Sequence, residues 1–236
     1  MRPIGFSTGA LAYADFRRGL EMTRHQNCKA VELSALRQAE LFPLLQSLDS
    51  LDVTGFDYVS IHAPSKFEPE WEGIAWDRLR TECGRNWPIV VHPDALYDLS
   101  LWRELGELLC VENMDKRKPI GRTLGELTSI FKQLPNASFC FDIGHARQCD
   151  PTMTEAYLIL REFGSRLRQV HVSEVNTRSK HDPLSYASIL AFQEVAHLIP
   201  PNVPLILETP VSEGQMESEI AKVREALPLN RRTMVA

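Results

Sequence analysis

Short apolar runs recur along the whole chain, and an amphipathic stretch follows each one. The runs are Pro3–Ser7, Ala30–Glu32, Tyr58–His62, Ile89–His92, Leu108–Glu112, Ser138–Asp142, Leu167–His171 and Pro204–Glu208. They are rich in Val, Ile, Leu and Phe and alternate little, as strands buried on both faces of a parallel sheet do. Between them, apolar residues return every three or four positions. Leu124, Leu127, Ile130, Phe131 and Leu134 form one such stripe, which predicts a helix over Leu124–Leu134 stopped by Pro135. Ile189, Leu190, Phe192, Val195 and Ala196 form another over Tyr186–Ile199, closed by Pro200 and Pro201. Eight strand–helix units of about 30 residues predict an α/β fold, a single (β/α)8 TIM barrel over residues 1–236 with compact loops. An open α/β sheet is the alternative.

In such a barrel the reactive groups stand at the C-terminal ends of the strands. The eight runs end in Ser7, Glu32, His62, His92, Glu112, Asp142, His171 and Glu208. Asp, Glu and His make up 38 of 236 residues, so eight random positions would hold one or two of them, and these hold seven. Taken singly, each has a plain structural account. Glu112 can cap the next turn, His62 and His92 turn out of a strand just before a proline, and His171 can be a hydrogen-bonded rim residue. Taken together they are the donor set of Zn²⁺, Mn²⁺ and related ions. That many converging carboxylates also call for a cation to offset their repulsion. His25 and His197 fall near predicted helix ends, where imidazole suits the helix dipole, and are read as structural.

A formal net charge of −5 argues against broad, nonspecific binding to nucleic acid or an anionic membrane, though a local basic groove remains open. No apolar run approaches the roughly 20 residues of a membrane helix, and the N-terminus lacks a signal-peptide core. The five cysteines, Cys28, Cys83, Cys110, Cys140 and Cys149, are scattered with no CxxC spacing. This favours a reducing, cytoplasmic setting and argues against a zinc ribbon.

The strand-end pattern resembles the xylose isomerase-like barrels, which include sugar isomerases, epimerases and the endonuclease IV family (AP endonuclease family 2). Glu112, Asp142, His171 and Glu208 are similar to the metal site of the ketose 3-epimerase and inosose-type members. The segment "DIGH" resembles their Asp-x-x-His, with Asp142 as ligand and His145 touching substrate or joining a second metal. "IHAP" and "VVHP" place His62 and His92 where the endonuclease IV family has its strand 3 and strand 4 histidines. "KHDPLSYASIL" looks like the superfamily's His-x-Pro-Leu-Gly segment and sets His181 over the site, with Ser185 in place of glycine. The endonuclease pattern has Asp two residues before that histidine, and here Ser179 stands there, with Asp182 nearby.

The resemblance implies two chemistries. The leading one is metal-dependent isomerisation or epimerisation of a sugar, sugar phosphate or polyol through an enediolate. In it Glu112 and Glu208 act as a two-base pair and His145 orients an oxygen. One Mn, Zn or Co ion is expected, with Asn113, Lys116, Glu174 and Arg178 binding substrate. Lys116, Arg117, Lys118, Arg122, Arg178 and Lys180 could clamp a phosphate or carboxylate. The alternative is phosphodiester hydrolysis by two or three ions, adding His62, His92, His145 and His181 to the ligands. A barrel that only binds a metal or sugar as a sensor is a third reading. The expected partner is a small carbohydrate, with nucleic acid as the alternative, no membrane, and a homo-oligomer left open.

Overall fold

The computed structural model describes residues 2–82 and 85–229, so Cys83 lies outside the described residues. Ten strands occur in chain order: β1 (Ile4–Ser7), β2 (Ala30–Ser34), β3 (Tyr58–His62), β4 (Ile89–Val91), β5 (Leu109–Glu112), β6 (Ser138–Asp142), β7 (Leu167–Val172), β8 (Glu174–Val175), β9 (His181–Asp182) and β10 (Leu205–Leu207). Eight of them close a parallel barrel in the order β1-β10-β7-β6-β5-β4-β3-β2. Pairing of Ile4 with Leu205 joins its two ends, so the sheet is a closed barrel and not the open alternative. Strands β8 and β9 form a separate antiparallel hairpin that pairs Glu174 with Asp182 and Val175 with His181.

Successive strand residues point to opposite faces, and the two faces of this sheet differ. Outward, Leu33, Ile61, Val91, Val111 and Phe139 pack into one apolar core with helix residues such as Leu44, Leu79, Leu127 and Phe192. Inward, only Val90, Cys110 and Cys140 form a small apolar cluster among the described residues. Much of the remaining interior is polar. Gln169 on β7 donates across the barrel to Glu32 Oε2 on β2 at 2.7 Å, and Tyr58 on β3 donates to Gln169 Oε1 at 2.7 Å.

The predicted helices form close to where their stripes placed them. One spans Leu124–Gln133 with Thr123 as its cap, and another spans Tyr186–Val195 followed by a 3-10 turn over Ala196–Leu198. The helix ends are short of the expected ones because Leu134 leaves helical dihedrals and the second helix tightens into its 3-10 turn at Ala196 before the prolines are reached. Gly5 on β1 has no substitute in this packing, since a Cβ there would overlap the Ala30 carbonyl. Among the described residues no helix is long and apolar enough to cross a membrane.

Candidate metal centre

The strands deliver their polar residues to one mouth of the barrel, with small departures from the expected ends. Strand β2 runs two residues beyond Glu32, to Ser34, which leaves Glu32 inside the barrel and not on its rim. Strands β4 and β10 stop at Val91 and Leu207, so His92 and Glu208 are the first residues past them. Asp142 ends β6 and caps the helix Ile143–Cys149, its Oδ1 accepting the His145 amide at 2.6 Å. That cap brings His145 back over the mouth.

Glu112 is the hub. Its Oε2 lies 3.2 Å from His62 Nε2 and 3.4 Å from His92 Nε2. Its Oε1 lies 3.3 Å from His145 Nδ1 and 3.4 Å from His171 Nδ1. Three donor groups share this one carboxylate: Glu112, Asp142, His171 and Glu208; His62, His92 and Glu112; and Glu112, Cys140 and His171. A fourth joins Glu32, His62, His171 and Glu208, and in each group the ligand atoms lie within 4.8 Å of one another. His181, on β9, lies 3.7 Å from Glu208 Oε2 and its ring is 5.6 Å from that of His145. All eight residues expected to serve as metal ligands thus gather at one end of the barrel.

The hydrogen bonds around the ring nitrogens fit a cation. His171 Nε2 faces Glu32 Oε2 at 3.0 Å and Gln169 Nε2 at 2.7 Å, and its Nδ1 is turned toward Glu112 and Glu208. His62 Nδ1 donates to the Ala63 carbonyl at 2.7 Å, leaving the Nε2 lone pair toward Glu112. Three buried atoms at or just below the mouth have no hydrogen-bond partner: Asp142 Oδ2, His171 Nδ1 and Glu32 Oε1. Two of these belong to the group of Glu112, Asp142, His171 and Glu208. Buried orphans are rare in folded proteins, and a shared cation accounts for both.

Without an ion, protons supply the positive charge. Burial alone would raise the Glu112 carboxyl, yet the surrounding imidazoles, His171 and His92 foremost, hold it well below the usual range. Burial opposes a charge on His62 and His145, but Glu112 and Glu32 raise His62 to about 9, and Asp142 and Glu112 raise His145 to about 10. Burial lifts Asp142 to about 6. His181 moves the other way, to about 4, through burial and the charge on His145.

The residues expected to bind substrate sit differently. Asn113 is buried, and its amide is used at both ends, donating to the Asp142 carbonyl and accepting the Asp142 amide, each at 2.8 Å. It ties β5 to β6. Lys116 and Glu174 line a shallow cavity of about 410 Å³ with Arg147 and Gln148, and Arg178 is exposed in the hairpin turn. Three of the expected clamp residues are already engaged, Arg117 with Asp115 at 3.4 Å, Lys118 with Asp94 at 2.8 Å and Arg122 with Glu126 at 2.6 Å. His25 pairs with Glu213 at 2.8 Å, on the outer surface. The hairpin is tied to the barrel through Ser179, whose Oγ donates to Asp115 Oδ1 at 2.7 Å. Beside the cluster, a cavity of about 530 Å³ is lined by Ser7, Gly9, Tyr13, Leu36, His181 and Glu208. Sequence reading missed Gln169 and Ser60 as the supports beneath the site. Their signal was a polar residue two positions before a strand-end histidine, on the same face.

The class is a (β/α)8 barrel with an acidic and imidazole cluster at the C-terminal mouth. Its fold is that of endonuclease IV from Thermus thermophilus, with a TM-score of 0.61 and 20% identity over 94% of this chain and 96% of that one. An uncharacterised protein from Parabacteroides distasonis is similar over 97% of each chain, with a TM-score of 0.53 and 13% identity. The closed (β/α)8 barrel expected from the sequence is the fold observed. No protein-family model matches the sequence, and no curated protein matches it.

Proposed function

We propose that the protein is a divalent-metal-dependent phosphoesterase that holds two ions and cleaves a phosphodiester. The observation that carries this reading is Glu112, whose Oε2 faces His62 and His92 while its Oε1 faces His145 and His171. A one-ion sugar isomerase has no use for His62 and His92 on the far side of that carboxylate. Asp142, His171 and Glu208 would complete one site, and His62 and His92 the other. Bound there, divalent ions supply Lewis-acid stabilisation of charge on a phosphoryl oxygen and make a nearby water more acidic.

The chain's own groups do the rest. His145 and His181 stand side by side outside these donor groups, with pKa values pushed apart to about 10 and about 4. Such a split assigns complementary roles. His145 carries a proton at neutral pH and would hold a phosphoryl oxygen or protonate the leaving one. His181 is neutral and would take a proton from the attacking water. A third ion on His145 and His181 would lack a carboxylate from the hairpin, because Ser179 stands there and is already bonded to Asp115. The fold shared with the Thermus endonuclease supports the same chemistry, with nucleic acid as one substrate to test.

A second reading is a metal-dependent isomerase or epimerase of a sugar or sugar phosphate. It is favoured by Glu208, which borders the 530 Å³ cavity and whose carboxyl is raised by burial, as suits a base at carbon. The two separate experimentally. Protein purified without added metal should carry two ions per chain and hydrolyse bis(p-nitrophenyl) phosphate or nick abasic-site DNA. One ion per chain, with proton exchange into sugars in D₂O and no hydrolysis, would overturn the proposal in favour of the second reading.

A further inference from the structure

At the opposite end of the barrel, where β1 and β2 begin, lies a second cavity of about 520 Å³. Arg2, Lys29 and Arg224 line it, and no acidic side chain among the described residues does. Arg2 is only 6% exposed. Its Nη atoms donate to the carbonyls of Leu227, Ile199 and Pro200 at 3.1, 3.2 and 3.0 Å, which fixes the guanidinium across two helix ends. Its Nε is buried and has no partner. None of the three cations forms an ion pair among the described residues. A buried guanidinium met only by carbonyls keeps its full charge, which an anion would offset.

Gln26 and Asn27 add amide groups to the wall, and Ile4, Ile220, Leu227 and Leu229 make the remainder apolar. The volume is that of a small-molecule pocket and far exceeds what a bare phosphate fills. We propose that this cavity is a second ligand site, remote from the metal centre, for an organic oxyanion: a phosphate or carboxylate carried on an apolar body. Arg2, Lys29 and Arg224 would meet the anion and the aliphatic wall its body. Such a ligand would bridge the start of β1, the loop before β2 and the last helix, Met216–Ala226, across the seam where β1 meets β10.

Phenylphosphonate, which cannot be hydrolysed as an ester, is the probe. It is titrated into the zinc-loaded protein and followed by amide chemical shifts. The amides of Gln26, Asn27, Lys29 and Arg224 are expected to move and saturate in the millimolar range or below. Any shifts at Gly144, His145 and Ser179 report separately on the mouth. Inorganic phosphate should bind more weakly than phenylphosphonate, and benzyl alcohol should move none of these amides. Arg224→Glu, on the exposed side of its helix, should weaken binding at least about tenfold. It should leave shifts at the mouth unchanged. Should that variant fail to fold, Lys29→Glu makes the same comparison. Shifts confined to the mouth, a curve unchanged by either variant, or equal binding of phosphate and phenylphosphonate would overturn the proposal.

Discussion

Replacing Glu32 with Gln tests how the metal centre is supported. Glu32 lies inside the barrel, fully buried, with Oε2 at 3.0 Å from His171 Nε2 and 2.7 Å from Gln169 Nε2. By accepting from His171 Nε2 the carboxylate would present Nδ1 to an ion. Glutamine keeps the volume but loses the charge, so Ser60, Gln169 and His171, which all meet Oε2, would face a neutral oxygen. A hydrogen bond to a charged group contributes about 1.5–3 kcal/mol. Removing the partner of a ligating histidine costs about 10- to 100-fold in metal affinity, or about 1.4–2.7 kcal/mol, and the two routes agree. Competition with a chromogenic chelator, using Zn²⁺ or Co²⁺, measures the loss. It should fall on the ion held by Glu112, Asp142, His171 and Glu208, and spare the one held by His62 and His92. Equal affinity of wild type and Glu32→Gln for both ions would refute the tautomer argument.

Other outcomes follow from the same geometry. His62→Ala should lower the metal content from about two ions per chain to about one, read by elemental analysis, since the group of Glu112, Asp142, His171 and Glu208 stays whole. Zinc binding near neutral pH should release protons, because the proposed ligand His62 sits at about 9 in the metal-free protein. A pH-indicator dye in weak buffer measures this, and release should fall as pH climbs past that value. The same raised value makes the His62 contribution to stability full below its ordinary 6.5 and lost as pH rises through about 9. Metal-free protein should therefore unfold at lower temperature at pH 10 than at pH 7. Gly5→Ala should destabilise by more than about 4 kcal/mol or prevent folding, seen as loss of the far-UV signal, because Ala30 leaves no room for a methyl.

Much of this was legible in the sequence because a parallel barrel writes itself as apolar runs with polar ends. His62, Glu112 and Asp142 close their strands where the runs ended. Glu32 was harder to place. Its run continues through Leu33 and Ser34, and the change from rim to interior depends on pairing with β3 up to His62. Asn113 reads as a substrate group because it follows a ligand, yet the backbone of Asp142 uses its whole amide. The β8–β9 hairpin left little trace, as two residues per strand carry no periodicity. The pairing of Lys118 with Asp94 likewise depends on a contact between two loops that spacing along the chain does not encode.

The polar filling of the barrel has a consequence for how the protein persists in a cell. Where such barrels usually hold layers of branched aliphatic side chains, this one places Glu32, Ser60, Gln169, Glu112, Asp142 and several imidazoles. These groups give up hydration on folding, and on the proposed function a bound cation would offset that cost. An ion bound by the folded state alone adds about 2.7 kcal/mol when present at 100 times its dissociation constant, a large share of a typical folding free energy. On the proposed function, metal supply would set the protein's lifetime as well as its chemistry, because the empty barrel would open more often than the loaded one.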